Sequence, residues 1–296
     1  NIVLNHYYET LAQGFTGLCN TAAADAATFS IVLDSSFGVG SHAAIAMSAL
    51  LTEKAPGMLR MDIRNAAGEG PVNAGCGAEH VQKGLIPPCG VSADQDAGKM
   101  LISFDGDADR VVFHTFPTAS GGNDQWTLLD GDKIMCLIAV TLQAELQEAG
   151  LGDFKLGAVQ TAYANGASSD YLRSVGVPIA VAKTGVKFVH HKALLFDCGI
   201  YFEANGHGTV LFSAALLKKL NSIQEPLSSS LSEQESRAWL ATRRLRLFLL
   251  AINQSVGDAL SDMLVALACL AIQGWSLEDW ISIYTDYPSR QLKVAV

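Results

Sequence analysis

The chain has 296 residues, of which 49% are hydrophobic and 17% are charged, and its formal net charge is −9. This length allows two domains with a large buried core, and this composition excludes global disorder. The negative charge argues against a nucleic-acid-binding protein, which needs a basic face. It also means that an anionic substrate has to be held by local cations or by a metal.

The cysteines and the apolar segments indicate the environment of the chain. Six cysteines are scattered without a CxxC pair, which favours neither a zinc site nor a disulfide scaffold and leads us to expect reduced thiols and a cytoplasmic location. The N-terminal residues lack a signal-peptide pattern. The apolar stretch 245–272 is interrupted by polar residues, so we expect a buried helix there and no membrane partner.

The first half of the chain alternates strands and helices. We expect a helix within residues 1–28 that packs on the first sheet, and an Ala-rich helix that ends near Glu53 after a Gly-containing turn. Residues 65–98 are rich in Gly and Pro and predict loops, with a short helix near 77–84. The strands predicted in this half are 29–34, 57–64, 99–104 and 111–116.

The second half repeats this alternation. Asp130 is predicted as the N-cap of a long helix that ends near Gly150. Residues 221–236 are rich in Ser, Gln and Glu and predict an exposed insertion. The remaining predicted strands are 156–160, 179–182, 199–203 and 291–296. The remaining predicted helices are 166–175, 187–196, more than one helix between the insertion and about Gln273, and 277–284. The fold class is therefore α/β.

An acidic loop follows the strand that ends at Phe104. Asp105, Asp107 and Asp109 alternate with small residues, so their carboxylates can converge on one hard cation. Ligand sets made only of oxygen favour Mg²⁺, Mn²⁺ or Ca²⁺ over zinc. Arg110 adds a cation beside this site, suited to bidentate contact with phosphate.

Three other interpretations of the acidic loop were weighed. An EF-hand is excluded, because Arg110 and Phe116 stand where that loop needs Gly and Glu. A solvated acidic turn and a phosphatase with an aspartate nucleophile both remain open from the loop alone.

Together with its neighbours, the acidic loop resembles the metal-binding loop of the α-D-phosphohexomutase superfamily, and other stretches resemble its phosphoacetylglucosamine mutase branch. Those stretches are Leu129-Asp-Gly-Asp-Lys-Ile134, Gln160-Thr-Ala-Tyr-Ala-Asn-Gly166, Lys183-Thr-Gly-Val-Lys187, His190-His-Lys192, Tyr201-Phe-Glu-Ala-Asn-Gly-His-Gly208, Ile252-Asn-Gln-Ser-Val-Gly-Asp258 and Arg290-Gln-Leu-Lys-Val294.

The resemblance implies two tandem phosphohexomutase-type domains, each a mixed sheet flanked by helices. Residues 1–126 would be the metal-binding domain, 127–284 the sugar-recognition domain, and 285–296 a linker with the first strand of a missing C-terminal domain. The donor serine and the C-terminal phosphate loop of the family are expected outside this sequence. The segment Thr118–Gly121 lacks the His-Asn-Pro continuation of the serine loop.

The resemblance also implies roles for individual residues. Asp105, Asp107 and Asp109 would hold Mg²⁺, and Arg110 would clamp phosphate during catalysis. The residues expected to bind the substrate are Thr184, Gly185, Lys187, Glu203, Asn205 and His207.

The implied activity is the interconversion of N-acetylglucosamine 6-phosphate and 1-phosphate in UDP-N-acetylglucosamine biosynthesis, through a phosphoserine enzyme and a 1,6-bisphosphate. The partners would be a hexosamine phosphate and the missing N- and C-terminal domains, and this chain alone would be inactive. The alternatives are a mutase for another hexose phosphate and a non-catalytic fragment that binds metal and phosphosugar.

Overall fold

The computed structural model describes residues 2–22, 28–117, 126–225 and 232–289. Within these ranges the chain is α/β, with two mixed sheets flanked by helices, which confirms the predicted fold class. None of the described helices is long and apolar enough to cross a bilayer. The segment Thr118–Gly121 and the predicted strand 291–296 lie outside the described residues.

The first sheet carries the acidic loop. Its strands lie in the order β2-β1-β3-β4-β5; β1 is parallel to β2 and β3, whereas β3, β4 and β5 are antiparallel neighbours. The elements of this half are α1 (Ile2–Cys19), β1 (Phe29–Asp34), α2 (Gly40–Lys54), β2 (Leu59–Arg64), α3 (Ala78–Gly84), α4 (Ala93–Asp96), β3 (Met100–Phe104), β4 (Val111–Thr115) and β5 (Thr127–Leu129).

The second sheet has the order β7-β6-β8-β9, with β6 parallel to β7 and β8, and β8 antiparallel to β9. The elements of this half are α5 (Gly131–Glu148), β6 (Leu156–Thr161), α6 (Gly166–Ser174), β7 (Ile179–Ala182), α7 (Val186–Ala193), β8 (Cys198–Phe202), β9 (Gly208–Phe212), α8 (Ala214–Ser222), α9 (Glu233–Ala251), α10 (Ala259–Gln273) and α11 (Leu277–Ser282).

Most strands and helices lie where the sequence predicts them, but four elements were not predicted. They are α4, β5, α8 and β9. β5 follows the predicted domain boundary at residue 126 and pairs with β4 in the first sheet; the domain boundaries stay a prediction. The predicted insertion 221–236 is narrower than expected, because α8 extends to Ser222 and α9 begins at Glu233.

The packing of α1 differs from the prediction. We expected α1 to lie on the first sheet, but it packs chiefly against α9 and α10, while Phe15 makes a ring contact with Phe29 at the start of β1. Gly14 explains the close approach: a Cβ at this position would lie 2.6 Å from the backbone nitrogen of Ala251. The helix therefore belongs to a helical layer that also contains α5.

One continuous hydrophobic core joins the two sheets. It includes Phe113 of the first sheet, Phe202 of the second sheet and nearly all of α10. Asp130 caps α5 as predicted, since its side chain accepts a hydrogen bond from the backbone nitrogen of Asp132. α5 and α10 thus fix the relative position of the two sheets.

A row of buried polar side chains crosses the first sheet. Trp126 Nε1 lies 3.2 Å from His114 Nδ1, and His114 Nε2 lies 3.1 Å from Ser103 Oγ. Because an indole N–H can only donate, Nδ1 accepts and the imidazole proton is on Nε2, which donates to Ser103. Trp126 and Ser103 thus engage both ring nitrogens of His114, and neither nitrogen contacts a carboxylate of the described residues. This row is therefore structural and is not a catalytic triad.

We predict that His114 makes the stability of the chain fall in acid. Burial lowers the pKa of His114 to about 3, below an unfolded value of about 6.5, so the unfolded chain binds the extra proton between these values. The linked loss is about 2 kcal/mol between pH 7 and pH 5. Urea unfolding of the wild type and of His114→Gln should show this loss in the wild type alone. An equal pH dependence in both would contradict the assignment.

Candidate functional site

The acidic loop is a tight turn between β3 and β4, and Asp105 organises it. Its Oδ1 accepts hydrogen bonds from the backbone nitrogens of Asp109 and Arg110, both at 3.1 Å. Ala108 adopts a φ of 59°, in the left-handed region, and its carbonyl accepts from the nitrogen of Ala259 at 2.9 Å. The start of α10 therefore supports the loop from behind.

The three aspartates converge as the alternation predicts. One carboxylate oxygen from each of Asp105, Asp107 and Asp109 lies within 4.8 Å of the others, and this is the one such group of three possible metal ligands among the described residues. Asp105 is buried, Asp109 is half-buried and Asp107 is exposed. The cluster is therefore anchored at one end and open to solvent at the other.

The carboxylates respond to one another and to their burial. Burial, followed by the charges of Asp109 and Asp107, raises the pKa of Asp105 to about 7. The pKa of Asp109 is lowered, chiefly by the hydrogen bond from His207, whose Nδ1 lies 3.1 Å from Asp109 Oδ2. Among the described residues, the buried Oδ1 of Asp109 has no hydrogen-bond partner.

Arg110 faces the carboxylates that precede it. Its Nε lies 3.6 Å from Asp105 Oδ2 and 3.5 Å from Asp109 Oδ1, and its Nη1 lies 3.1 Å from Glu79 Oε2. Glu79 belongs to α3 and was not among the predicted residues. The guanidinium thus partly neutralises the acidic cluster. The contact of Arg110 with a phosphate group stays a prediction.

The turn between β1 and α2 lies directly against the acidic loop. A Cβ on Gly38 would lie 2.2 Å from the carbonyl oxygen of Gly106, so this position requires glycine. Val39 donates its backbone N–H to that same carbonyl oxygen at 3.1 Å. The side-chain oxygen of Asn73 accepts from the nitrogen of Gly106 at 3.0 Å and from Ser36 Oγ at 2.7 Å. Both faces of the loop are therefore held by backbone or amide contacts.

Residues 203–207, which join β8 to β9, dock on the acidic loop. Val111 donates its backbone N–H to the carbonyl oxygen of Gly206 at 3.2 Å. A Cβ on Gly206 would lie 2.1 Å from the carbonyl oxygen of Val111, and a Cβ on Gly257 would lie 2.5 Å from His207 Cε1. His207 is buried and contacts Asp109, so it joins the two loops.

Glu203 lies where three loops meet. Its Oε1 accepts from Tyr163 OH at 3.0 Å and from the backbone nitrogen of Gly185 at 3.3 Å. Asn205 Oδ1 accepts from the nitrogen of His207 at 3.0 Å, which leaves the amide nitrogen of Asn205 as a donor. The structure therefore brings Glu203, Asn205 and Gly185 together beside the acidic loop.

Two predicted residues lie at the edge of this group. Thr184 is exposed and adjoins Gly185, and Lys187 is exposed with its Nζ 5.0 Å from the ring centroid of Phe188. Their roles in binding stay predictions. Sequence reasoning missed the contact of Tyr163 with Glu203, although the stretch 160–166 had been singled out.

Comparison with known proteins identifies the family. The family model described as Phosphoacetylglucosamine mutase AMG1, domain III matches residues 130–275. A phosphoacetylglucosamine mutase of Arabidopsis thaliana is 42% identical over 301 residues, which cover 99% of this chain and 52% of that protein. The chain thus spans about half the length of the curated relatives it matches.

Solved structures agree with this result. The N-acetylphosphoglucosamine mutase of Aspergillus fumigatus, solved in complex with GlcNAc-6P and magnesium, is 36% identical with a TM-score of 0.86, over 98% of this chain and 55% of that one. An N-acetylglucosamine-phosphate mutase, solved in its product complex, is 33% identical with a TM-score of 0.84, over 95% of this chain and 50% of that one. The chain belongs to the phosphoacetylglucosamine mutase family of the α-D-phosphohexomutase superfamily.

Proposed function

We propose that this chain supplies the metal loop and the sugar-reading loop of an enzyme that interconverts N-acetylglucosamine 6-phosphate and 1-phosphate. The observation that carries the proposal is the contact of His207, in the 203–207 loop, with Asp109 in the acidic loop. This contact brings the three carboxylates of the acidic loop and the polar residues of the 203–207 loop together. The printed names of the relatives and the Aspergillus complex support the same substrate.

Mg²⁺ fits the acidic loop on the chemistry of its donors. Asp105, Asp107 and Asp109 offer oxygen ligands alone, which suit a hard cation. Asp109 Oδ1 is buried without a hydrogen-bond partner among the described residues, and a cation would satisfy it. Mg²⁺ held there supplies the positive charge that neutralises and orients phosphoryl oxygens.

Arg110 would bind the phosphate group of the substrate, and Glu203 would bind its sugar. Arg110 lies beside the three carboxylates, where its guanidinium can turn from them to a phosphate group. Glu203 accepts hydrogen bonds at Oε1, and its other oxygen can accept from a sugar hydroxyl. Asn205 can donate to a hydroxyl or to the acetamido oxygen. A site built on such groups rejects a sugar that leaves them unpaired.

The full reaction would also need the donor serine and the C-terminal phosphate loop, which we assign to parts of the enzyme outside these 296 residues. In the proposed reaction, a phosphoserine donates its phosphoryl group to the bound sugar phosphate, which becomes a 1,6-bisphosphate. The bisphosphate then returns its other phosphoryl group to the serine. The proposed domains are residues 1–126 for metal binding, 127–284 for sugar recognition and 285–296 as a linker with a first strand. The chain alone would bind metal and phosphosugar without turnover, in the cytoplasm.

A mutase for a different hexose phosphate is the second candidate. The acidic loop suits any hexose phosphate, so Asn205 is the group that would distinguish an N-acetylated sugar from one without the acetamido group. Comparing turnover of N-acetylglucosamine 6-phosphate and glucose 6-phosphate by the complete enzyme separates the two candidates, and a preference for the plain sugar would favour the second.

We predict that Asp107→Ala removes Mg²⁺ binding by this chain. Asp107 is the exposed ligand of the cluster, so its loss takes away a donor without disturbing the buried core. Calorimetry should detect Mg²⁺ binding to the wild type and to Asp153→Ala, an exposed aspartate in the other half, but not to Asp107→Ala. Unchanged binding by Asp107→Ala would rule out the metal assignment.

We predict that Asp105→Asn stabilises the metal-free chain at pH 8. The folded-state pKa of Asp105 is raised from 3.8 to about 7, so its stabilising effect is lost as the pH rises through that value, and the ionised carboxylate then costs about 4 kcal/mol. Asparagine keeps the acceptor for the backbone nitrogens. The melting temperature should therefore rise in the variant, while the further rise that Mg²⁺ gives the wild type should vanish. A lower melting temperature for the metal-free variant would contradict this.

We predict that Tyr163→Phe weakens sugar recognition in the complete enzyme. The hydroxyl of Tyr163 holds Glu203 in place, and losing a hydrogen bond to a charged group reduces kcat/KM by about tenfold. Tyr171→Phe is the matched control, because Tyr171 is also half-buried and contacts Tyr284 instead. Equal kinetics for the two variants would remove Tyr163 from the site.

A further inference from the structure

Two cysteines that the proposed function does not use lie close together beside the acidic loop. Cys76 is buried and Cys89 is exposed, and Cys89 Sγ lies 4.0 Å from the carbonyl oxygen of Ala74, two residues before Cys76. The backbone nitrogen of Cys89 donates at 2.9 Å to the carbonyl oxygen of Gly75, the residue before Cys76. A disulfide needs Cα atoms about 4.4 to 6.8 Å apart. A backbone hydrogen bond between two neighbouring segments, such as this one, keeps the Cα atoms of Cys76 and Cys89 at about that distance.

We propose that Cys76 and Cys89 are a modification site that closes reversibly to an intramolecular disulfide when the chain meets a low-molecular-weight disulfide such as glutathione disulfide. The remaining four cysteines are buried like Cys76, so Cys89 is the one exposed thiol of the described residues. The proposal does not depend on the proposed mutase activity.

The order of attack follows from exposure and charge. Burial, followed by the charge of Asp34, raises the pKa of the Cys76 thiol to about 12, so this thiol stays protonated. The exposed Cys89 is therefore the first nucleophile, since the thiolate is the reactive form and access limits the rate.

The chemistry is a two-step exchange. The Cys89 thiolate attacks one sulfur of the oxidant and forms a mixed disulfide, and the departing thiolate takes up the proton that Cys89 released. Cys76 then gives its proton to the surrounding water, and the small fraction present as thiolate attacks the Cys89 sulfur and displaces the second thiolate, which takes up a proton. Two electrons pass from the protein thiols to the oxidant, which becomes two free thiols.

The pair is joined to the acidic loop through Ser36. Cys76 Sγ lies 3.9 Å from Ser36 Oγ, which donates to the Asn73 oxygen that also accepts from the nitrogen of Gly106. Closing the disulfide turns the Cys76 sulfur away from Ser36 and towards Cys89. This movement displaces the turn that carries Asn73. We therefore expect oxidation to loosen the hold of Asn73 on the acidic loop.

Mass spectrometry of the reduced chain treated with glutathione disulfide tests the site. The wild type should lose the mass of two hydrogen atoms and yield a peptide that joins Cys76 to Cys89, and dithiothreitol should reverse both changes. Cys76→Ser should instead keep glutathione on Cys89, and Cys89→Ser should stay unmodified. A wild type that stays reduced, or that stops at the glutathione adduct, would overturn the disulfide.

Hydrogen exchange at the amide of Gly106 tests the link to the loop. It should become several-fold faster in the oxidised wild type than in the reduced wild type, and it should not change when the Cys89→Ser variant receives the same treatment. Equal exchange in the oxidised and reduced wild type would overturn the coupling to the acidic loop. Since this readout needs neither metal nor substrate, its failure is distinct from a failure of the proposed function.

Discussion

The site depends on the close approach of two backbones at the start of β4. Gly206 has no side chain to keep its carbonyl from the N–H of Val111, and any Cβ there would overlap the carbonyl oxygen of Val111. A second contact of this kind lies at Gly131, where a Cβ would be 2.0 Å from the carbonyl oxygen of Glu203. Because both contacts are between main chains, the position of the 203–207 loop on the acidic loop depends little on side-chain rotamers.

The electrostatics of the acidic loop oppose its own folding. Three carboxylates are gathered at one turn, and one of them is buried. Arg110 and His207 offset part of the repulsion, but neither completes the hydrogen bonding of Asp109. Local rules of stability are broken at functional sites in this way, and the surrounding fold compensates. The start of α10 and the β1–α2 turn provide that support here.

Sequence reasoning found the features that depend on local pattern. The strand 29–34, the cap at Asp130 and the turn 105–110 follow from apolar runs, turn residues and capping chemistry, which neighbouring residues decide. β9 was not predicted, because the run Gly208–Phe212 is only five residues long and begins with a glycine directly after the polar residues 203–207.

Features that join distant segments could not be predicted in the same way. The packing of α1 on α9 joins residues more than 200 positions apart in the chain. The contacts of Glu79 with Arg110 and of Tyr163 with Glu203 likewise depend on tertiary packing. The shared core has a consequence of its own: α5 contacts strands of both sheets and packs against α10, so the two halves should melt as one cooperative unit. The acidic loop and the 203–207 loop would then be lost together, without a partly folded form that keeps one of them.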